Sequence, residues 1–174
     1  MVKFLIIIAF TLFNLSSAHA KNMSSEEESF LGSIFTGEIP KKKRLIVKGD
    51  KKEDIQKIMG DRYNKRIFSY WENDTEQVWI LNSIGKYKPI TAGFVINSCK
   101  IKSSHVIVYR EAIGYEIKYP NFLIQLKDAE IKDNMKLNSK IDNISGATLS
   151  VNSMRRMART ALLLNKLSNE DTCT

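Results

Sequence analysis

Two adjoining runs of β-like residues in the middle of the chain constrain its fold most. Gly93-Phe94-Val95-Ile96-Asn97-Ser98-Cys99 reads as one strand and Ile101 through Tyr109 as another, with a turn or bulge at Asn97–Lys100 between them. Strand side chains alternate between faces, so Val106 and Val108 point one way and Ile107 and Tyr109 the other. Leu45-Ile46-Val47, Ile67–Trp71 and Val78–Leu81 read as further strands, and Asn73-Asp74 turns between the last two.

Helices bracket these runs. Residues 24–35 open with Ser24 and carry Glu27 three positions on, a capping-box pattern, and Gly37 and Pro40 end this arm. Asp50 and Glu53 repeat the pattern ahead of Ile55, Ile58 and Met59 on one helical face, and Gly60 stops that helix. Phe122, Leu123 and Leu126 predict a short helix after Pro120, and 127–141 is polar and loop-like. The clearest helix is the last. From Val151, the residues Met154, Met157, Ala158, Ala161, Leu162 and Leu164 form an apolar stripe, with Arg155, Arg156, Arg159 and Lys166 on the wetter side. Strand runs bracketed by helices, without regular βαβ alternation, predict an α+β fold. Its mostly antiparallel, twisted sheet is packed by the C-terminal helix and by short helices.

The first twenty residues read as an address. Lys3 precedes the apolar run Phe4–Leu15, and Ala18 and Ala20 form an A-x-A cleavage site. This is the pattern of a secretory signal, and a run of about twelve apolar residues falls short of the roughly twenty that span a membrane. The expected mature chain starts at Lys21 and works in the periplasm or another extracytoplasmic space. The remainder divides into an N-terminal arm with the first α/β elements (21–75), a domain core (76–165) and a tail (166–174). The 174 residues suit one domain, and 43% hydrophobic residues suffice for a core. A net charge of +8 in a cytosolic protein would suggest nucleic acid. In an exported one an anionic membrane surface or an acidic protein is the better partner, and no nucleic acid is expected. The Lys41-Lys42-Lys43-Arg44 run reads as a solvated entry to a strand. Cys99 reads as a small buried hydrophobe rather than half of a bond to Cys173 near the chain end. His105 has no second His in the mature chain, so no metal site is expected. Trp71, Trp79 and Tyr70 read as core aromatics.

Chemistry concentrates just before the last helix, in Asp142-Asn143-Ile144-Ser145-Gly146-Ala147-Thr148. Gly146 and Ala147 let another molecule approach the backbone, and Ser145 and Thr148 offer hydroxyls. The helix start behind them presents free N–H groups and the positive end of its dipole, which together favour a phosphate. Arg155 or Arg156 would add charge. The plainer alternative is an ordinary loop with Thr148 or Ser150 as the helix cap.

This segment resembles the D-x-x-[ST]-G-A-T flavinylation motif of the bacterial FMN-binding domain family, which includes flavin subunits of ion-pumping redox complexes and small exported relatives. Every fixed position matches: Asp142, Ser145, Gly146, Ala147 and Thr148. Arg110-Glu111-Ala112-Ile113-Gly114 resembles an R-E-x-x-G segment of that family. Phe122-Leu123-Ile124-Gln125-Leu126 resembles a downstream F-L-x-Q-F segment, with Leu126 in place of an aromatic. Ile84-Gly85-Lys86 and Ile90-Thr91-Ala92-Gly93 resemble the start of the domain, so the likeness covers roughly residues 76–165. Glu111-Ala112-Ile113-Gly114 departs from the E-T-P-G of the ion pumps and sides with the stand-alone relatives.

The resemblance implies FMN joined to Thr148 by a phosphoester, placed there by an ApbE-type flavin transferase that uses FAD and Mg²⁺. Asp142 would assist the transferase or orient the Thr148 hydroxyl, or would simply form the turn. Glu111 and Gly114 would lie near the flavin, or would be a strand-end charge and a turn. No catalytic residue of the chain's own is implied. The expected role is electron relay between a membrane redox protein, such as a cytochrome, and an extracytoplasmic acceptor. The alternatives are a flavin-free accessory module of a membrane redox complex and a dedicated periplasmic reductase.

Overall fold

The computed structural model describes residues 23–169 and Cys173 of the 174-residue chain, so the expected signal segment lies outside the described residues. The fold is α+β. Helix α1 (Ser25–Ile34), strand β1 (Lys43–Ile46), helix α2 (Gly49–Met59) and strands β2 (Ile67–Glu72), β3 (Gln77–Ile84), β4 (Pro89–Asn97) and β5 (Lys100–Val108) come first. A 3₁₀ turn (Tyr115–Lys118), the short helix α3 (Pro120–Leu123), a second 3₁₀ turn (Ile124–Leu126) and the long helix α4 (Thr148–Ser168) follow. The five strands pair in sequence order β1-β2-β3-β4-β5, and every pairing is antiparallel.

Local chemistry accounts for the turns. Ser24 and Glu27 form the expected capping box at α1, with both reciprocal bonds made. The Asn73 carboxamide oxygen accepts the N–H groups of Thr75 and Glu76 at 3.0 and 2.8 Å and closes the β2–β3 turn. Ser98 and Cys99 both take positive φ, 46° and 63°, as a two-residue β4–β5 hairpin of the I′ kind requires. Two expectations shift. Helix α2 begins at Gly49 after Lys48, which makes no side-chain capping bond, so Asp50 is a first-turn carboxylate that suits the helix dipole. Strand β4 begins at Pro89, earlier than the apolar run announces. A proline at the first strand position costs no interior ladder bond.

The sheet is covered on both faces. Phe68, Trp79, Leu81, Ile90, Phe94 and Ile96 point to the side packed by α2, α4 and the segment after β5. Trp71, Val78, Ile80 and Val95 point to the other side, which α1 closes with Phe30 and Leu31. The α4 stripe behaves as expected, with Val151, Met154, Met157, Ala158, Ala161, Leu162 and Leu164 all buried. Its arginines are half-buried rather than wet. Arg155 donates to the Ile141 carbonyl, Arg156 to the Ile84 carbonyl and Arg159 to the Met135 carbonyl, so they tie the helix to the polar loops around it.

The cysteines overturn their expectation. Cys99 and Cys173 form a disulfide, with Cα atoms 5.7 Å apart. The expectation failed because Cys99 occupies the hairpin turn, half-exposed, and not the strand core. Helix α4 ends beside that turn. Asn165 Nδ2 and Ser168 Oγ both donate to Gln77 Oε1, at 2.8 and 3.0 Å, and this delivers the tail to Cys99.

Candidate functional site

Antiparallel pairing gathers one end of the sheet. The end of β3, the start of β4 and the end of β5 lie together, and Ser153 of α4 donates to the Ile84 carbonyl at 2.5 Å. The first turn of α4 therefore projects beyond the β3–β4 turn. Residues 142–148 lead into it.

The motif is a tight turn followed by a helix start. The Ala147 N–H donates to the Ile144 carbonyl at 2.9 Å. Gly146 has φ 79°, the value that the third position of a type II turn demands. Apart from Gly146 itself and its two chain neighbours, no atom of the described residues lies within 4 Å of the place where a Gly146 Cβ would sit, so this backbone is open to an incoming group. Ala147 is the N-cap and makes no side-chain capping bond, while Thr148 is the first residue of α4. Neither Thr148 nor Ser150 is the cap. The Thr148 hydroxyl is exposed and accepts from the Asn143 carboxamide at 2.8 Å. An exposed hydroxyl, an open glycine and uncapped helix amides fit a phosphate ester of FMN at this place.

Gly114 joins the motif. It sits in the left-handed region at φ 87°, and an added Cβ would stand 2.9 Å from the Tyr109 hydroxyl, 3.1 Å from the Ala147 Cβ and 3.1 Å from the Ser150 Oγ. Tyr109 O–H donates to the Ile113 carbonyl at 2.5 Å. Its one proton is thus spent, so the Ser150 hydroxyl, 3.0 Å away, donates to the Tyr109 oxygen. The Tyr109–Ser150 pair locks the 111–114 turn against the start of α4. The tyrosine pKa is raised, mainly by partial burial.

Glu111 bonds to the turn between β3 and β4. One carboxylate oxygen accepts the backbone N–H groups of Lys86, Tyr87 and Lys88 at 2.5, 2.6 and 2.9 Å. It clamps the β3–β4 turn, and these bonds, that of Lys88 foremost, hold its carboxyl below the ordinary glutamate value. Asp142 is exposed. Its N–H donates to Gln125 Oε1 at 2.7 Å, and its carboxylate lies 3.7 Å from the Lys140 ammonium. Ser145 is exposed at the turn. Arg155 and Arg156 donate to the carbonyls of Ile141 and Ile84. The residues that sequence reasoning missed are Asn143, which occupies a variable motif position, and the Tyr109–Ser150 pair, which only the fold brings together. His105 packs on the Phe30 ring at 5.5 Å, on the far face of the sheet.

Residues 85–163 match the model of the FMN-binding domain family. The stretch from the β3–β4 turn through most of α4, with the helix start at Thr148, is thus similar to an FMN-binding domain, which supports flavin binding by this part of the chain. No curated protein matches the chain.

Proposed function

We propose that the protein carries FMN covalently on Thr148 and relays electrons outside the cytoplasm. The observation that carries this reading is the exposed Thr148 hydroxyl on an uncapped helix start, inside the FMN-binding domain. In the attachment reaction the Thr148 Oγ–P bond forms and the pyrophosphate bond of FAD breaks. AMP leaves, and the hydroxyl proton passes to solvent or to a base on the transferase. On this side of the reaction, Asn143 orients the Thr148 oxygen, Gly146 leaves room for the transferase and the helix amides receive the phosphate. FMN supplies the redox chemistry, and the protein supplies attachment and orientation.

Two further features favour the exported setting. A disulfide is at home in an oxidising compartment. Residues 41–66 hold eleven Lys and Arg against four Asp and Glu, which suits an acidic redox protein or an anionic membrane surface. A membrane cytochrome as electron donor belongs to the same reading.

The test is intact mass after co-production with an ApbE-type flavin transferase. The expected gain is one FMN less one water, localised to Thr148 by fragmentation and lost in Thr148→Ala, with an unchanged melting curve. Covalent flavin retained in folded Thr148→Ala would overturn the assignment.

A further inference from the structure

Beside the α4 start lies a cleft of about 830 Å³, with Met59, Arg62 and Tyr63 on one wall and Asn82, Ile84 and Arg156 on the other. Its first wall precedes the family-matched residues 85–163, so the site is a feature of this chain's own arm. Arg156 is half-buried, and its acceptors are the Ser83 hydroxyl, the Ile84 carbonyl and the Ser153 hydroxyl, at 3.1, 2.9 and 2.9 Å. All three are neutral, and among the described residues no carboxylate pairs with this guanidinium. Asp61 and Arg62, both exposed, also line the cleft and offset one another, so Arg156 sets its charge.

Arg156 follows Leu149 by seven residues and Ser153 by three, which puts the three on one stripe of α4. Leu149 is 48% exposed, an apolar surface next to Thr148 on the way to the cleft. The axial rise from Thr148 to Arg156 is about 12 Å at 1.5 Å per residue, within reach of a ribityl tether and a three-ring head.

We propose that this cleft seats the isoalloxazine of the Thr148-linked flavin, with Arg156 as the fixed positive group that favours the reduced state. The proposal rests on the reading of Thr148 above. Two electrons from the donor and one proton from solvent leave the reduced ring with one negative charge. A guanidinium held among neutral acceptors, partly out of water, attracts that charge more strongly than a solvated one would. Arg156 is thus a positioning and tuning residue.

The experiment is a spectroelectrochemical titration of the flavinylated protein, with intact mass taken on every sample. Arg156→Gln is expected to favour the oxidised state by about tenfold, a midpoint lower by about 30 mV for a two-electron couple, and Arg156→Lys to recover most of it. Asn82→Asp adds a negative charge to the wall that carries Arg156, while its carboxylate still accepts the Thr91 hydroxyl, which donates to Asn82 at 2.6 Å. It should lower the midpoint in the same sense, and it decides the matter alone where Arg156→Gln does not fold. Folded, flavinylated Asn82→Asp and Arg156→Gln proteins with midpoints within about twofold of the parent, about 9 mV, would overturn the proposal. Absence of flavin by mass would instead overturn the reading of Thr148.

Discussion

Removing the Cys99–Cys173 bond should destabilise the protein by an amount that its loop length predicts. The bond closes a loop over a sequence separation of 74 residues. The chain-entropy relation gives about 15 cal/mol/K for such a loop, or about 4.5 kcal/mol at 25 °C. For a domain of this size that corresponds to a melting point lower by about 9–18 °C. Urea titrations of the oxidised protein, the reduced protein and Cys99→Ser/Cys173→Ser should show a lower midpoint and a steeper slope. An unfolded chain freed of its cross-link exposes more surface. The α4 end is also held by Asn165 and Ser168 on Gln77, so the fold itself should survive reduction. Helix α4 puts Thr148 about 30 Å from its other end at 1.5 Å per residue. Flavinylation should therefore be unaffected by reduction. A melting point within about 2 °C of the oxidised protein, with an unchanged slope, would show that the loop does not restrain the denatured chain as argued.

Two substitutions probe the site end. Gly114→Ala sets a methyl against Ala147 and Ser150 at a positive φ, which should cost about 1–3 kcal/mol and slow FMN attachment. Equal melting points and equal labelling rates would count against that packing. The depressed pKa of Glu111 makes its clamp a pH-dependent one. Its stabilising effect is complete above the unfolded-chain value of about 4.3 and is lost as pH falls through the lower folded value. Glu111→Gln should thus remove part of the acid-induced drop in melting temperature between about pH 5 and 2, and superimposable acid profiles of the two proteins would refute the clamp.

The fold was legible wherever periodicity was strong. The α4 stripe and the Ser24 capping box depend on neighbours three or four positions apart, and these are read directly from the chain. Residues 142–148 were legible as a unit because turn, hydroxyl and helix start are contiguous. Glu111 was not, since its three donors lie on a turn 23–25 residues earlier and only strand register brings them together. Tyr109 and Ser150, 41 positions apart, were hidden for the same reason. The arginines of α4 looked solvated because helical spacing locates the apolar stripe and says nothing of loops that return to cover its flank. The disulfide failed on register as well: moving Cys99 from strand to turn exchanges a core position for a half-exposed one.

The two ends of α4 are built for opposite demands, and the difference follows from their bonds. At the C-terminal end the polar groups find partners within the fold, and the disulfide locks the tail to the sheet. At the N-terminal end the positioning bonds are equally tight, through Tyr109–Ser150 and from Ser153 to the Ile84 carbonyl. Yet the groups that face outward there stay accessible: Thr148 is exposed with only the Asn143 carboxamide on its hydroxyl, Gly146 is open and the helix start has no side-chain cap. An ordinary helix terminus gains about 1 kcal/mol from a capping side chain, and this one forgoes it. That omission is hard to explain as a device for stability. It suits the proposed attachment at Thr148, because a capping side chain would occupy the amides that a phosphate would reach. The rigidity beneath then keeps any tethered group over the same end of the sheet, beside the cleft that Arg156 lines.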